Sequence, residues 1–231
     1  MKPPFWGLGL LYLCLLLGSH GTGMAQTPAP PQDDEQQWNE FQLRKPLTKT
    51  KDLVLMGVLR LGRGFERPVD ERIGVAVIFK LHPKLTLAPT YLYVEQQPYA
   101  GRQIREHRLI LDANLRQSWA GFNFWDRNRL EHHARHNSAD FTVYRNRLQI
   151  DHPVRLGNFK FSVYGADEVF YSTQRTNGVR QGWVRNRVGG GVFKQFNELF
   201  YGELFYLHQN DGVARPGNVH ALGTMVRFSL K

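Results

Sequence analysis

The sequence predicts an all-β chain, a single up-and-down antiparallel transmembrane β-barrel of ten to twelve strands. Three observations predict it. Apolar and polar residues alternate with period two through most of the chain, the strand period that sends successive side chains to opposite faces. The links between alternating stretches are short and long in turn, as at the two ends of an outer-membrane barrel. An apolar N-terminal run of the export type precedes them all.

That run has Lys2 as its charged start, an apolar core over residues 5–17, and Gly23-Met24-Ala25 as a small-x-small cleavage site before Gln26. The core is shorter than the ~20 residues that span a bilayer. Cys14, the single cysteine, lies inside it, and the bulky Leu13 before it does not suit lipid attachment. Residues 1–25 are therefore read as a cleavable secretory signal. The mature chain then has no cysteine and no disulfide to hold it. Residues 26–35, Pro-rich and then acidic, form an extended lead-in. Residues 36–231 form the barrel domain.

Composition narrows the class. The formal charge is +10, aromatics make up 13% and the mean hydropathy is -0.44. So polar a chain cannot be a bundle of membrane helices, which needs several long apolar runs. A barrel strand buries only every second residue in lipid and escapes that objection. Lys and Arg are spread along the chain instead of gathered in a patch, so no nucleic-acid partner is expected.

Taken in order, the candidate strands are 36–45, 52–62, 71–82, 85–96, 104–117, 121–133, 140–152, 159–171, 182–194, 198–208 and 218–230. In the second, Leu53, Leu55, Leu59 and Leu61 share a face. In the third, Ile73, Val75, Val77, Phe79 and Leu81 oppose Arg72, Gly74, Ala76 and Lys80. Leu85, Leu87, Tyr91 and Tyr93 follow. The fifth is the cleanest, with Leu109, Leu111, Ala113 and Leu115 against Arg108, Asp112, Asn114 and Arg116. Many of these exceed the mean soluble strand of ~5–6 residues and match the ~9–11 of a membrane-spanning one. The last strand alternates Leu222, Val226, Phe228 and Leu230 against Gly223, Arg227 and Ser229. Its aromatic is displaced from the terminus and Lys231 trails. Because bacterial single-chain barrels close on an even number, twelve strands are favoured, or ten if 36–45 lies outside the wall.

Links 46–51, 82–84, 117–120, 153–158 and 195–197 read as short. Links 63–70, 97–103, 134–139, 172–181 and 209–217 read as long. Trp119, Phe122 and Phe124 hug one short turn, Phe159 and Phe161 another, and Phe193, Phe196 and Phe200 a third. Such clustering is what an interfacial girdle predicts.

One tripeptide occurs three times: Arg127-Asn128-Arg129, Arg145-Asn146-Arg147 and Arg185-Asn186-Arg187. On a strand it sends two guanidiniums to one face and an asparagine to the other. With the apolar face on lipid, the lumen receives Arg108, Arg127, Arg129, Glu131, Arg145, Arg147, Glu168, Arg185, Arg187 and Glu203, with Glu106. Arg–Glu forks could brace the wall; alternatively, the arginines could form a constriction that favours anions. The same parity puts Asn128, Asn146, Asp126 and Asp167 on the lipid face. Either a bulge breaks the parity of those strands, or the apolar belt sits nearer the short turns.

Several segments resemble one family in their order along the chain: Gln37-Trp38, Lys45-Pro46-Leu47-Thr48-Lys49, Glu106-His107-Arg108, Asn128-Arg129-Leu130-Glu131, Tyr144-Arg145-Asn146-Arg147-Leu148 and Asp167-Glu168-Val169-Phe170-Tyr171. They resemble the domain of unknown function 2490 family, from about Gln36 to the C-terminus. The resemblance implies an outer-membrane-type barrel with no assigned activity.

The expected protein is thus a monomer in the outer membrane of a Gram-negative-type bacterium, either a small passive channel with anion preference or a closed structural barrel. Its expected partners are outer-membrane lipid, the barrel-insertion machinery and small anionic solutes. No cofactor, metal or catalytic residue is expected. Two other classes compete. A lipid-modifying acyl hydrolase would draw on His132, His133, His136, Ser138 and Asp140, which come without a nucleophile elbow. A soluble exported barrel or sandwich would bind a ligand instead.

Overall fold

Eleven strands follow one another in the computed structural model, which describes residues 31–175, 180–212 and 214–231. They are β1 (Asp33–Thr48), β2 (Lys51–Gly62), β3 (Arg67–His82), β4 (Leu85–Tyr99), β5 (Arg102–Trp119), β6 (Phe122–Arg135), β7 (Phe141–Leu156), β8 (Phe159–Ser172), β9 (Gly182–Gln195), β10 (Phe200–Asp211) and β11 (Asn218–Ser229). Each pairs antiparallel with the next, and β1 closes the ring by pairing parallel with β11. The sheet is therefore one closed barrel and not a two-sheet sandwich. The predicted signal lies outside the described residues.

The count differs from the favoured twelve, and parity gives the reason. Eleven up-and-down strands leave the first and last running the same way, so only parallel pairing can join them. Asp33 to Arg44 pair with Asn218 to Ser229 along that seam. Residues 36–45 are wall, and β1 also takes in residues 33–35 of the lead-in.

Link lengths sort less sharply than expected. One end carries only the links 49–50, 83–84, 120–121, 157–158 and 196–199. The other carries 136–140, 173–181 and 212–217, but β3 and β4 run on into their predicted loops and leave 63–66 and 100–101. Ala120 and Gly121 both have positive φ, 52° and 83°, the handedness that two-residue hairpins on twisted strands require. Among the described residues, three of the five register irregularities fall where proline cannot donate to the ladder, between Pro46 and Thr48, opposite Pro68 and across Pro98; the other two, at Lys80–His82 and opposite Phe170–Tyr171, involve no proline.

The register fixes the tilt. Hydrogen-bonded partners traced from Thr48 run through Lys51, Phe79, Leu87, Ala113, Asn128, Asn146, Val169, Asn186, Asn210 and Asn218, and return to β1 at Asp33. One circuit climbs from Thr48 to Asp33, about one and a half residues per strand, which corresponds to the roughly 40° inclination of closed barrels.

The outer wall is apolar. Leu55, Leu59, Ile73, Leu109, Leu111, Leu130, Leu148, Val188, Leu204 and Leu222 are exposed there, Ile73 at 67%. Aromatic rings gather at both rims. Near the short turns, Phe159 meets Phe161, Phe196 meets Phe200, and Phe228 joins Phe41 and Phe200. Towards the other rim stand Tyr171 with Trp183, and His107 and His220, which stack on Tyr91 and Tyr206 nearer the middle of the wall. On β8, ten residues separate Phe161 from Tyr171, roughly 25 Å at about 2.5 Å of climb per residue.

The inner face is not uniformly polar. Trp38, Val219 and Ala221 form one buried cluster, Leu92, Val94 and Ile110 a second, and Phe141, Val143 and Phe170 a third. All three lie in the half of the barrel away from the short turns.

Candidate functional site in the lumen

β6, β7 and β8 build the centre of the lumen. Arg127 is paired in register with Arg147, and Arg129 with Arg145, so two arginine pairs of like charge face each other across β6 and β7. Such pairing is destabilising unless acids intervene. β8 supplies one: Glu168 lies level with Arg147 on one side and Arg187 on the other. Its Oε1 accepts from Arg127 Nη2 at 2.6 Å and Arg145 Nη2 at 2.7 Å, and its Oε2 lies 3.4 Å from Arg187 Nη1. One carboxylate thus joins arginines from β6, β7 and β9.

Glu131 repeats the arrangement a turn of the wall away. It accepts from Arg145 Nη1 at 2.6 Å and Arg129 Nη1 at 3.2 Å. Arg129 also grips Asp112 of β5 through a two-pronged fork at 2.6 and 2.7 Å. His133 lies 3.2 Å from Glu106 and 3.3 Å from Glu131, and Glu106 takes Arg108 and Arg135 as further partners. Asp70 holds Arg72 in a second fork, both bonds 2.6 Å. Arg185 pairs with Asp211.

Aromatic faces absorb part of the remaining positive charge. Trp38 projects inward from β1, with the Arg60 guanidinium 3.6 Å and the Arg187 guanidinium 4.9 Å from its ring. Phe170 receives Arg145 at 4.4 Å and Arg187 at 4.7 Å. Because β1 and β9 are not neighbours, the contact between Arg187 and Trp38 crosses the lumen. Glu106, Arg108, Glu131, Arg145, Glu168 and Arg187 are all buried, Glu106 at 1% exposure. This half of the lumen is filled.

The half nearer the short turns is different. Trp125 projects inward from β6 with Arg116, Arg127 and Arg147 each about 5.5 Å from its ring. Arg227 lies over Tyr201 at 4.4 Å. The hydroxyls of Tyr164 and Tyr201 donate to Glu203. Among the described residues no carboxylate oxygen lies within 4 Å of Arg116, Arg147 or Arg227. Arg116 is exposed, and Trp125, Tyr164, Tyr201, Glu203 and Arg227 are half-exposed. This is a solvent-reached vestibule in which Arg116, Arg147 and Arg227 lack a carboxylate partner, beside a buried Asp52 held by Arg44 and Lys80 and a buried Asp151 held by Asn123.

All ten residues picked out as lumen-lining point inward. Eight of them, Arg108, Arg127, Arg129, Glu131, Arg145, Glu168, Arg185 and Arg187, sit in or against the filled half, while Arg147 and Glu203 belong to the vestibule. Sequence reasoning missed Trp38, Arg60, Asp70, His133 and Trp125 as lumen groups, and put Arg72 and Asp112 on the polar face without naming them among the lumen residues. Strand parity alone could have found them.

The structure gives His132 and His133 opposite faces of β6. His132 turns outward to Thr142, with Asp140 3.9 Å away, whereas His133 turns into the lumen. The pleat separates them, and no hydrogen bond joins either to Ser138. Among the described residues no group of three or more His, Cys, Asp or Glu side chains could hold a metal ion. A depression of about 720 Å³ lies at the outer wall around Gly57, edged by Phe41, Leu59, Ile73, Tyr93 and Val226 and by the polar Asn39 and Thr224.

The barrel, its order of strands and its motifs can now be set beside known proteins. A family model described as protein of unknown function (DUF2490) matches residues 35–219. The chain belongs to the DUF2490 family. No curated protein matches it in sequence. Among solved structures it is similar to an anion-selective porin from Comamonas acidovorans, with a TM-score of 0.37 and 13% identity over 78% of this chain and 54% of the porin. It is also similar to the siderophore receptor PirA from Pseudomonas aeruginosa, with a TM-score of 0.29 and 9% identity over 73% of this chain and 32% of the receptor. This DUF2490 chain thus spans about half the length of the porin and a third of the receptor.

Proposed function

We propose that this DUF2490 protein is an outer-membrane barrel that is closed at rest, with a cationic vestibule at its short-turn end. The exposed Leu, Ile and Val wall between two aromatic rims supports a membrane setting, since barrels in lipid carry an apolar band about 25 Å tall flanked by aromatic girdles. One observation carries the closed reading. Glu168 joins arginines of three strands, and Arg187 reaches across to Trp38; Glu168, Arg145 and Arg187 are buried and the Arg127 side chain is 14% exposed. An ion entering there must displace those side chains. The wild-type barrel is therefore expected to give no steady conductance in a planar bilayer. Regular single-channel steps would overturn the closed reading. Solubility without detergent and no heat-dependent gel shift would overturn the membrane reading.

A second reading concerns the vestibule, where small anions would be held without passing through. Arg116, Arg147 and Arg227 favour it, because they line solvent-reached space without a carboxylate partner. Iodide should quench Trp125 fluorescence more strongly than neutral acrylamide does, and Arg116→Gln/Arg227→Gln should remove that advantage. Equal quenching by both agents in the wild type would end the reading.

A further inference from the structure

The asparagines of the three tripeptides point outward. β5, β6 and β7 pair without any register shift over residues 122–133, so no bulge turns Asp126 or Asn128 into the lumen. Asn128 and Asn146 are direct partners across β6 and β7. Asp126 accepts from Asn128 at 3.0 Å and from Asn146 at 2.6 Å. Asn186 donates to Asp167 at 2.6 Å. The outer wall of β6 to β9 thus carries a polar patch of two neighbouring groups, one on β6 and β7 and one on β8 and β9.

Depth makes the patch anomalous. On β8, Asp167 stands six residues above Phe161 and four below Tyr171, in the middle of the apolar band. On β6, Asp126 stands two residues above Phe124. At comparable levels the rest of the wall presents Leu55, Val75, Leu111, Leu204 and Val226, with Tyr91, Tyr206 and one smaller polar pair, Thr224 and Asn39, at the β1–β11 seam. Carboxylates and amides facing hydrocarbon are costly and rare. Two residues below Asp167 lie Gly165 and its register partner Gly190, with no side chain, which lowers the wall and lets another backbone approach. If the barrel spans a membrane, something other than lipid covers this patch.

We infer that a second copy of the chain covers it, wall to wall, about a two-fold axis parallel to the barrel axis between β7 and β8. Barrels in one bilayer share a depth, so that axis brings each level of the patch to the same level of its partner. It also exchanges β7 with β8. Each step around the barrel climbs about one and a half residues, so the outward residue of β8 level with Asn146 is not its register partner Val169 but Asp167. An amide donor on one copy therefore meets a carboxylate on the other, twice. The patch is complementary to itself, whereas a different protein would need its own matching donors and acceptors at the same depth. The dimer replaces the monomer expected from the sequence.

The inference rests on the membrane reading, and the test separates the two. Chains bearing Asn146→Cys and chains bearing Asp167→Cys, one of them tagged, are folded together into lipid vesicles and oxidised. The mixture should yield a tagged species of twice the monomer mass, while neither variant alone should. Wild-type barrel extracted in mild detergent should also sediment at twice the monomer mass. A mixture that remains monomeric while showing the heat-dependent gel shift overturns the dimer. Loss of the gel shift in wild type overturns the membrane reading instead.

Discussion

Glu168 has an isosteric replacement that keeps its shape and removes its charge. In Glu168→Gln the guanidiniums of Arg127, Arg145 and Arg187 lose their shared anion, with Arg147 directly across the ladder. Breaking a buried ionic group by removing one partner costs about 3–5 kcal/mol. Glu203→Gln keeps an oxygen that the Tyr164 and Tyr201 hydroxyls can still reach, and should cost about 1 kcal/mol. Urea unfolding of the detergent-folded barrel measures both. Equal losses would mean that Glu168 is not the keystone of the filled half. The tripeptide made those arginines visible in the sequence, but their partners were less so. Glu131 and Glu168 share the inward parity and could be named, whereas the stacking of Arg187 on Trp38 joins β1 to β9 across the lumen and leaves no trace in spacing.

At the scale of elements, β5 was readable because its two faces differ in polarity along nearly its whole length. β4 was harder: Leu92 and Val94 face inward while Leu87 and Tyr91 face outward, so both faces are apolar where the strand passes the filled half. A rule that equates apolar with lipid-facing fails there, because the interior needs apolar packing between its ion pairs. Strand ends ran past their predicted limits at Arg67 and Tyr99, since Pro68 and Pro98 are accommodated by register shifts and do not end pairing. In β9 a shift between Trp183 and Arg185 carries Val184 to the cluster of Phe141, Val143 and Phe170 and leaves Trp183 67% exposed. Glycines on β9 and β11 serve close approach: a Cβ on Gly191 would stand 2.3 Å from the Leu204 carbonyl oxygen, and one on Gly223 would fall 2.1 Å from the Phe205 ring. Such contacts between strands are set by packing, which no single-strand pattern encodes.

At the scale of the molecule, the odd strand number has a consequence that an even one would not. β1 and β11 run parallel, so Asp33 enters the wall at the long-link end and Lys231 leaves at the short-turn end. A barrel of ten or twelve strands would place both ends on one side. The chain offers a clean measurement, because its single cysteine, Cys14, falls within the predicted signal. Asp33→Cys and Lys231→Cys, each introduced alone, can be treated with a membrane-impermeant maleimide on intact vesicles and again after the vesicles are opened. Both positions are exposed, so reactivity reports sidedness and not burial. One variant should react in intact vesicles and the other only after opening, whichever way the barrel inserts, provided insertion is uniform. Reaction of both from the same side would show that β1 does not close on β11 in the bilayer. The parallel seam would then have to open and another strand complete the wall.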